Sequence, residues 1–342
     1  MPDAVNHRIV LASRPAGPPT PDNFRLEEAP VPAAPPSGVL LRTRWLSLDP
    51  YMRGRMSDAP SYAPPVGIGE VMTGGTVSEV VESHAAGFKA GDLVEGSTGW
   101  QEYAAVDVGK RPGALRVLPP GQPPSTALGI LGMPGMTAYC GLLNIGQPKA
   151  GETVVVAAAA GPVGSLVGQI AKLHGARAVG IAGGPDKCKH VVGLGFDACL
   201  DHRAPDLPGQ LAAACPDGID VYFENVGGKV WDAVLPRLNP FARVPVCGLV
   251  SYYNATEPPA GPDRTALVMR AVLTKRLLIR GFIVWDFQAQ QEDFLQTVGG
   301  WLREGKVRHQ EDIVDGLAAA PAAFIGMLQG ANLGKMLVRV AA

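Results

Sequence analysis

The chain reads as an α/β protein in two parts, a doubly wound parallel sheet and a second, compact β domain. Three observations predict it. Strand, small-residue turn and helix follow one another through Thr153 to Lys172, TVVVAAAAGPVGSLVGQIAK. From about Ser125 to Leu302, short apolar runs alternate with helical patterns, as a parallel sheet with crossover helices requires. The stretch before it is broken by Gly and Pro into short β patterns. The expected division is 1–127 for the β domain, completed by 303–342, and 128–302 for the parallel-sheet domain.

The stretch at Thr153 organises the rest. Thr153-Val154-Val155-Val156 suits a strand buried on both faces. Leu166, Ile170 and Leu173 recur at helical spacing after the turn. A helix N-terminus behind exposed backbone N–H groups is a phosphate site. The dinucleotide fingerprint places Gly at three positions; here they read Ala159, Gly161 and Gly164, with Pro162 and Val163 between. Gly161 lets backbone approach a pyrophosphate, Gly164 lets helix and strand pack closely, and Ala159 is a departure.

In chain order, His7 to Leu11 begins a strand, and prolines between Pro18 and Pro36 forbid long regular structure. Val39 to Ser47 is a strand, followed by the turn and short helix of Leu48-Asp49-Pro50-Tyr51-Met52-Arg53. Asp92 to Val94 and Tyr103 to Val106 are strands of the turned β domain. In the second part, strands are expected at Val179–Ala182, Ala198–Asp201, Asp220–Val226, Ala242–Cys247 and Leu277–Val284, with a helix over Lys187–Leu194. Pro245 marks an irregularity or an edge position. Ile313 and Leu317, with Ala318 to Leu328, read as one helix, and Lys335 to Val340 as a closing strand. That tail is expected to rejoin the first domain.

Composition excludes several classes. Hydrophobic residues make up 46% and charged residues 18%, which supports a large core and argues against disorder. A net charge of −1 supplies no global field for nucleic acid or an anionic membrane. The N-terminal stretch lacks a signal-peptide core, and no long apolar window is free of Gly and Pro, so a cytoplasmic enzyme is expected. The five cysteines, Cys140, Cys188, Cys199, Cys215 and Cys247, form no C-x-x-C and read as free thiols. Cys188 and His190 do not make a metal site by themselves.

NAD sites carry an Asp or Glu at the end of the second strand. Here that place reads Ile181-Ala182-Gly183-Gly184, with Lys187, Lys189 and Arg203 nearby. A missing acid and added cations favour NADP.

Five stretches in order then match one family: Leu48 to Arg53, Gly132-Met133-Pro134-Gly135-Met136-Thr137-Ala138-Tyr139, Ala159 to Ser165, Tyr222-Phe223-Glu224-Asn225-Val226-Gly227-Gly228, and Asn332-Leu333-Gly334-Lys335. The chain resembles the zinc-independent medium-chain dehydrogenase/reductases, in the branch of leukotriene B4 12-hydroxydehydrogenase, prostaglandin reductase and alkenal double-bond reductase. The resemblance implies a GroES-like β-barrel domain, a Rossmann domain, NADP(H) in the cleft between them, and commonly a homodimer. It implies reduction of the C=C bond of α,β-unsaturated aldehydes and ketones.

Carried onto this chain, the resemblance implies a pyrophosphate turn over Gly161, Pro162, Val163 and Gly164. Lys187 becomes the 2′-phosphate cation and Asn225 a cofactor contact. Cys247, Gly248, Ser251 and Tyr253, with Phe282, Ile283 and Val284, line the nicotinamide side, and Asn332 also contacts cofactor. Relatives often have an Asn-Tyr-Lys stretch where this chain has Asp201-His202-Arg203; His202 then replaces the Tyr contact and Arg203 the Lys charge. No Cys precedes Cys140, so no catalytic zinc is expected.

Hydride addition to an enone β-carbon leaves an enolate, whose oxyanion needs a hydrogen-bond donor. Tyr253 and Tyr51 are the candidate catalytic donors, Tyr253 as donor or relay and Tyr51 as pocket wall; the cofactor's ribose hydroxyl is a third. Arg53 and Arg55 read as surface or interdomain salt-bridge partners before anchors for an acidic substrate tail. Trp45, Tyr62, Trp285 and Phe287 are candidates for an apolar pocket, Trp45 more readily core. The competing expectations are a quinone reductase, a secondary-alcohol dehydrogenase and a non-catalytic, crystallin-like NADPH binder.

Overall fold

The computed structural model describes residues 5–257 and 261–341. They divide into two compact units, one formed by residues up to Leu128 together with those from Glu311, the other by Gly129–Gln310. The return therefore falls at 310/311, against the 302/303 expected from the sequence. Gln169 holds the segment after the last helix of the second unit, accepting from Arg308 N at 2.8 Å and donating to Arg308 O at 2.9 Å.

The first unit opens with β1 (Val5–Leu11) and β2 (Phe24–Pro30), paired antiparallel. The long β3 (Gly38–Ser47) leads into α1 (Tyr51–Arg55), and β4 (Thr76–Ser83), β5 (Leu93–Gly96), β6 (Tyr103–Asp107) and β7 (Leu115–Val117) come next. Trp100 centres the core, stacked on Phe24 at 5.6 Å and edge-on to Phe324 at 5.7 Å.

The second unit contains α2 (Met133–Cys140), β8 (Thr153–Ala157), α3 (Pro162–Leu173), β9 (Arg177–Ala182), α4 (Pro185–Gly193), β10 (Ala198–Asp201), α5 (Leu207–Ala214), β11 (Ile219–Phe223), α6 (Gly228–Val234), β12 (Leu238–Val246), α7 (Thr265–Lys275), β13 (Leu278–Gly281) and α8 (Gln291–Arg303). Its strands form one sheet in the order β10-β9-β8-β11-β12-β13, parallel throughout. The β-branched run of β8 is buried at every position, as a strand covered on both faces must be. Leu166 and Ile170 of α3 are buried, but Leu173 is exposed at the helix end. Pro245 lies inside the sheet, since β12 sits between β11 and β13. The edge expectation therefore fails, and Pro245 keeps regular register with Arg280 of β13; the irregularity of β12 lies earlier, between Leu238 and Arg243, where its pairing with β11 shifts.

The chain then returns with β14 (Glu311–Asp315), α9 (Ala320–Leu328) and β15 (Lys335–Arg339). The single helix expected from Ile313 is therefore wrong at its start. Ile313 lies in β14, paired parallel with Leu337 of β15, and Gly316 at φ +85° separates that strand from the helical turns after it. The first unit's larger sheet runs β14-β15-β3-β4-β5-β7, with β6 on β3. No helix among the described residues is long and apolar enough to cross a membrane.

One buried ion pair joins the tail to the segment before α1. Lys335 Nζ donates to Asp49 Oδ1 and to the Leu48 carbonyl, each at 2.7 Å, and Ser47 Oγ donates to Asp49 Oδ2. Lys335 and Asp49 are 2% and 4% exposed. Burial lowers the Lys335 pKa, and the Asp49 carboxylate acts against that shift. Breaking one side of such a pair leaves a charge stranded, so Lys335→Met should cost about 3–5 kcal/mol in chemical denaturation. Asp49→Asn with Lys335→Met should lose less than the two single losses added; full additivity would show that the two side chains act independently.

Candidate functional site

The sheet of the second unit runs outward from β8 to β9 and β10, then restarts at β11 and runs the other way. In open parallel sheets, ligands bind beyond the carboxyl ends of the strands at this reversal. Here the turns after β8 and β11 meet, and Asn225 Nδ2 donates to the Ala157 carbonyl at 2.8 Å.

The turn after β8 is built from small residues. Ala158 adopts φ +53°, and Gly161 N donates to its carbonyl at 3.0 Å. Gly161 caps α3 and Pro162 occupies its first turn, where a missing N–H removes no helix bond. A side chain at Gly164 would meet the Ala158 carbonyl oxygen at 2.5 Å, so the helix can approach the turn only at a glycine. The Ala159 departure is accommodated from the neighbouring strand: a side chain at Gly180 of β9 would lie 2.8 Å from the Ala159 methyl. The helix N-terminus is thus a bare backbone ledge suited to an anion.

A cationic group lies beyond β9. A side chain at Gly183 would meet His202 Nε2 at 2.9 Å and Arg203 Nε at 3.1 Å, so both side chains lie over this glycine. Lys187 and Arg203 both lower the His202 pKa, after the larger effect of burial, which leaves the ring neutral at pH 7. A carboxylate is also present, which the sequence pattern did not reveal. Asp201 Oδ1 accepts from Gly184 N at 2.8 Å and Arg203 N at 2.9 Å, which ties its charge to the backbone and lowers its pKa.

The turn after β11 carries a buried acid to which the sequence alone assigns no role. Glu224 is 2% exposed. Its Oε1 accepts from Val226 N at 2.6 Å and from Gly227 N and the Tyr222 hydroxyl at 2.9 Å each. Burial raises its pKa despite these donors. Its presence is legible only as a charge closing the apolar run Val221-Tyr222-Phe223.

The loop after β12 is stitched to that turn. Val250 N donates to Asn225 O at 3.1 Å, and Ser251 N and Oγ donate to Val226 O at 3.0 and 2.5 Å. Gly228 N donates to the Tyr252 hydroxyl at 3.0 Å, a further role missed in the sequence. A side chain at Gly248 would meet the Tyr253 hydroxyl at 3.0 Å and Asn225 O at 3.6 Å, so the Tyr253 hydroxyl lies across this glycine. Burial pushes the Cys247 thiol up to about 12, with a smaller push from Glu224, so the thiol stays protonated. Phe282 turns inward, edge-on to Phe223 at 6.2 Å and Phe287 at 6.0 Å, so its ring belongs to the core and only its backbone is available to a ligand. Ile283 N donates to Asp286 Oδ2 at 3.0 Å, opening the turn that begins at Val284. Phe287 is core rather than pocket, while Trp285 is exposed.

In the first unit, Tyr51 opens α1. Burial first, then the Asp49 charge, raises its pKa, so its hydroxyl remains a donor. The Arg55 guanidinium lies 5.8 Å from the Tyr51 ring and 5.1 Å from that of Tyr62. Arg53 is not a surface residue: it is buried and donates to the Gly17 carbonyl at 2.8 Å. Trp45 is partly buried under Arg339. Asn332 Nδ2 donates to Gly334 O at 2.8 Å, shaping the turn before β15. Among the described residues, no three His, Cys, Asp or Glu side chains group as metal ligands do.

Known proteins share both units of this chain. Residues 7–112 match a family model described as the N-terminal domain of oxidoreductase, and residues 162–299 one described as zinc-binding dehydrogenase. The chain is 60% identical over 339 residues to the NADPH-dependent curcumin reductase of Escherichia coli (strain K12), covering 98% of this chain and 97% of that protein. It is 38% identical over 344 residues to the NADP(+)-dependent 2-alkenal reductase of Nicotiana tabacum, covering 99% and 98%. The crystal structure of CurA from Vibrio vulnificus in complex with NADPH superposes with a TM-score of 0.95 at 54% identity, covering 98% of this chain and 99% of that one.

Proposed function

From the premise that this chain belongs to the zinc-independent medium-chain dehydrogenase/reductases, we propose that it reduces the C=C bond of α,β-unsaturated aldehydes and ketones. It is an NADP-dependent oxidoreductase. The observation that best supports the enone reading is the Tyr253 hydroxyl lying across Gly248, in the loop after β12 that is stitched to the β11 turn. That is a neutral hydrogen-bond donor on a backbone ledge.

The residues present fit the cofactor. Gly161, Pro162, Val163 and Gly164 would hold the pyrophosphate on the α3 N-terminus, which Gly164 lets lie close against the turn after β8. Lys187, His202 and Arg203 would hold the 2′-phosphate, the bare Gly183 letting the His202 and Arg203 side chains lie over its backbone. Asn225, Cys247, Gly248, Ser251 and Tyr253, the backbone of Phe282, Ile283 and Val284, and Asn332 would make the remaining contacts. When bound, reduced nicotinamide supplies the hydride.

The protein's part is polarisation. An enone β-carbon accepts hydride only as negative charge moves to the carbonyl oxygen. Tyr253 donates to that oxygen and stabilises the enolate as it forms, most effectively where water is excluded. Tyr51, kept protonated by burial and Asp49, is the second candidate hydrogen-bond donor. Cys247 stays a thiol and adds no competing nucleophile.

The chain is also proposed to act in the cytoplasm, in keeping with its five free thiols, and as a homodimer. β13 is the edge of its sheet, and Leu278 and Ile279 on it, with Leu267, Met269 and Leu273 on α7, are exposed. An apolar strand edge of this kind calls for a partner. Sedimentation velocity should return twice the 35.7 kDa chain mass; the single-chain mass would remove the dimer.

The decisive assay follows NADPH oxidation with an alkenal, an aryl enone and a quinone in parallel, with NADH as control and EDTA present. Turnover of the enones, selective for NADPH and insensitive to chelator, is expected. Turnover of the quinone alone would assign the chain to the quinone reductases, and NADPH binding without any turnover would make it a non-catalytic binder. Within that assay, Lys187→Ala should raise the NADPH KM by about tenfold or more and leave that for NADH nearly unchanged. Equal weakening of both would take Lys187 out of the 2′-phosphate site.

A further inference from the structure

We infer that Glu224 is a positioning residue that sets the loop carrying Tyr253 by turning two peptide planes of the strand β11 turn. The inference rests on the roles proposed above for Tyr253 and Asn225, and it assigns the geometry that holds them.

The coupling is mechanical. Val226 N–H and the Asn225 carbonyl are opposite ends of one planar peptide, and Gly227 N–H and the Val226 carbonyl are opposite ends of the next. Glu224 Oε1 takes both N–H groups, at 2.6 and 2.9 Å. The two carbonyls must then point the other way. They do, and each is used: Asn225 O accepts from Val250 N, and Val226 O from Ser251 N and Oγ. Those two residues lead directly into Tyr253. The same turn aims the Asn225 amide at Ala157 O on the pyrophosphate side.

Local features leave this work to the carboxylate. Gly227 and Gly228 have φ of +76° and +56°, so the backbone turns through consecutive left-handed positions. The Tyr222 hydroxyl donates to the same Oε1 and fixes the carboxylate plane. Glu224 Oε2 is buried and has no hydrogen-bond partner among the described residues. The acid therefore serves the turn through one oxygen. A glutamine would keep that acceptor and place its amide nitrogen where no existing bond is lost.

The test is a mutant cycle read two ways, by kcat for an enone and by NADPH dissociation constant from fluorescence titration. Glu224→Ala should lower kcat about tenfold or more, as a small misplacement of a donor does, and weaken NADPH binding. Glu224→Gln should stay within about twofold of wild type on both readouts, because the acceptor survives. In a Tyr253→Phe background, Glu224→Ala should cost less than about a further twofold in kcat, since the hydroxyl it positions is gone. A Gln variant as damaged as Ala, or losses that multiply through the cycle, would overturn the proposal. Tyr253→Phe with unchanged kcat would instead remove the donor role of Tyr253. The Glu224 proposal would then stand or fall on NADPH affinity alone, sustained by weakening in Ala but not in Gln and overturned without it. If Glu224→Ala does not fold, Glu224→Asp, which draws the acceptor back by one methylene, takes its place in the cycle.

Discussion

Asn225 hands its side-chain amide to the Ala157 carbonyl across the two central strands of the parallel sheet. The contact exists because the chain reverses there: β8 leads outward to β10, and β11 restarts beside β8 and leads to β13. Crossover helices on either side leave the carboxyl ends of β8 and β11 uncovered, and two turns meet in the opening. Every residue proposed for a chemical role in the second unit follows the carboxyl end of one of the six strands of this sheet. The reversal also explains why the acid of the β11 turn must be buried. Two backbone N–H groups of that turn donate to it, and an unmade buried hydrogen bond is costly.

Room at this opening is made by trading side chains between neighbours. The first fingerprint position carries a methyl at Ala159, and the space comes from Gly180 on β9. Gly164 removes the side chain that would strike the Ala158 carbonyl, and Gly183 removes the one that would strike His202 and Arg203. Each substitution acts on backbone approach rather than on contact with a ligand. A motif of this kind is therefore better judged by what its glycines let draw near than by whether every glycine is present. Ala159 alone looks like a defect; Ala159 with Gly180 is a consistent packing.

Much of this is legible in the sequence, for physical reasons. A strand buried on both faces must be continuously apolar, a close helix approach demands Gly, and a missing acid after β9 is visible as plainly as a present one. Tyr253, Asn225 and the Gly161–Gly164 turn are proposed that way or through the family resemblance. What escapes depends on partners distant in the chain. Glu311 to Asp315 becomes a strand only because β15 lies alongside, more than twenty residues on. Arg53 is drawn into the core by a carbonyl at Gly17, and Phe282 by a gap that Gly141 leaves for its ring. Asp201 is plain in the sequence, but its hold on the Gly184 and Arg203 backbone N–H groups is not. Local pattern carries the elements, but the direction in which a polar or aromatic side chain turns is decided by tertiary neighbours.

The two units use buried charge in related ways. In the first, Asp49 lies two residues before Tyr51 and is held by Lys335 and Ser47. In the second, Glu224 lies one residue before Asn225 and is held by backbone N–H groups and a tyrosine. Buried charges of this kind are often replaceable by apolar residues without loss of stability, so stability alone does not account for them. What an apolar residue cannot do is fix the orientation of a peptide plane. Asp49 and Lys335 fix the backbone at Leu48, where the chain turns into α1, and Glu224 fixes two successive planes where the chain leaves β11. In each unit the charge stands just past the end of a strand, one or two residues before a proposed functional side chain. At that point sheet hydrogen bonds run out, and a buried side-chain acceptor or donor is the remaining means of holding the chain to a single path.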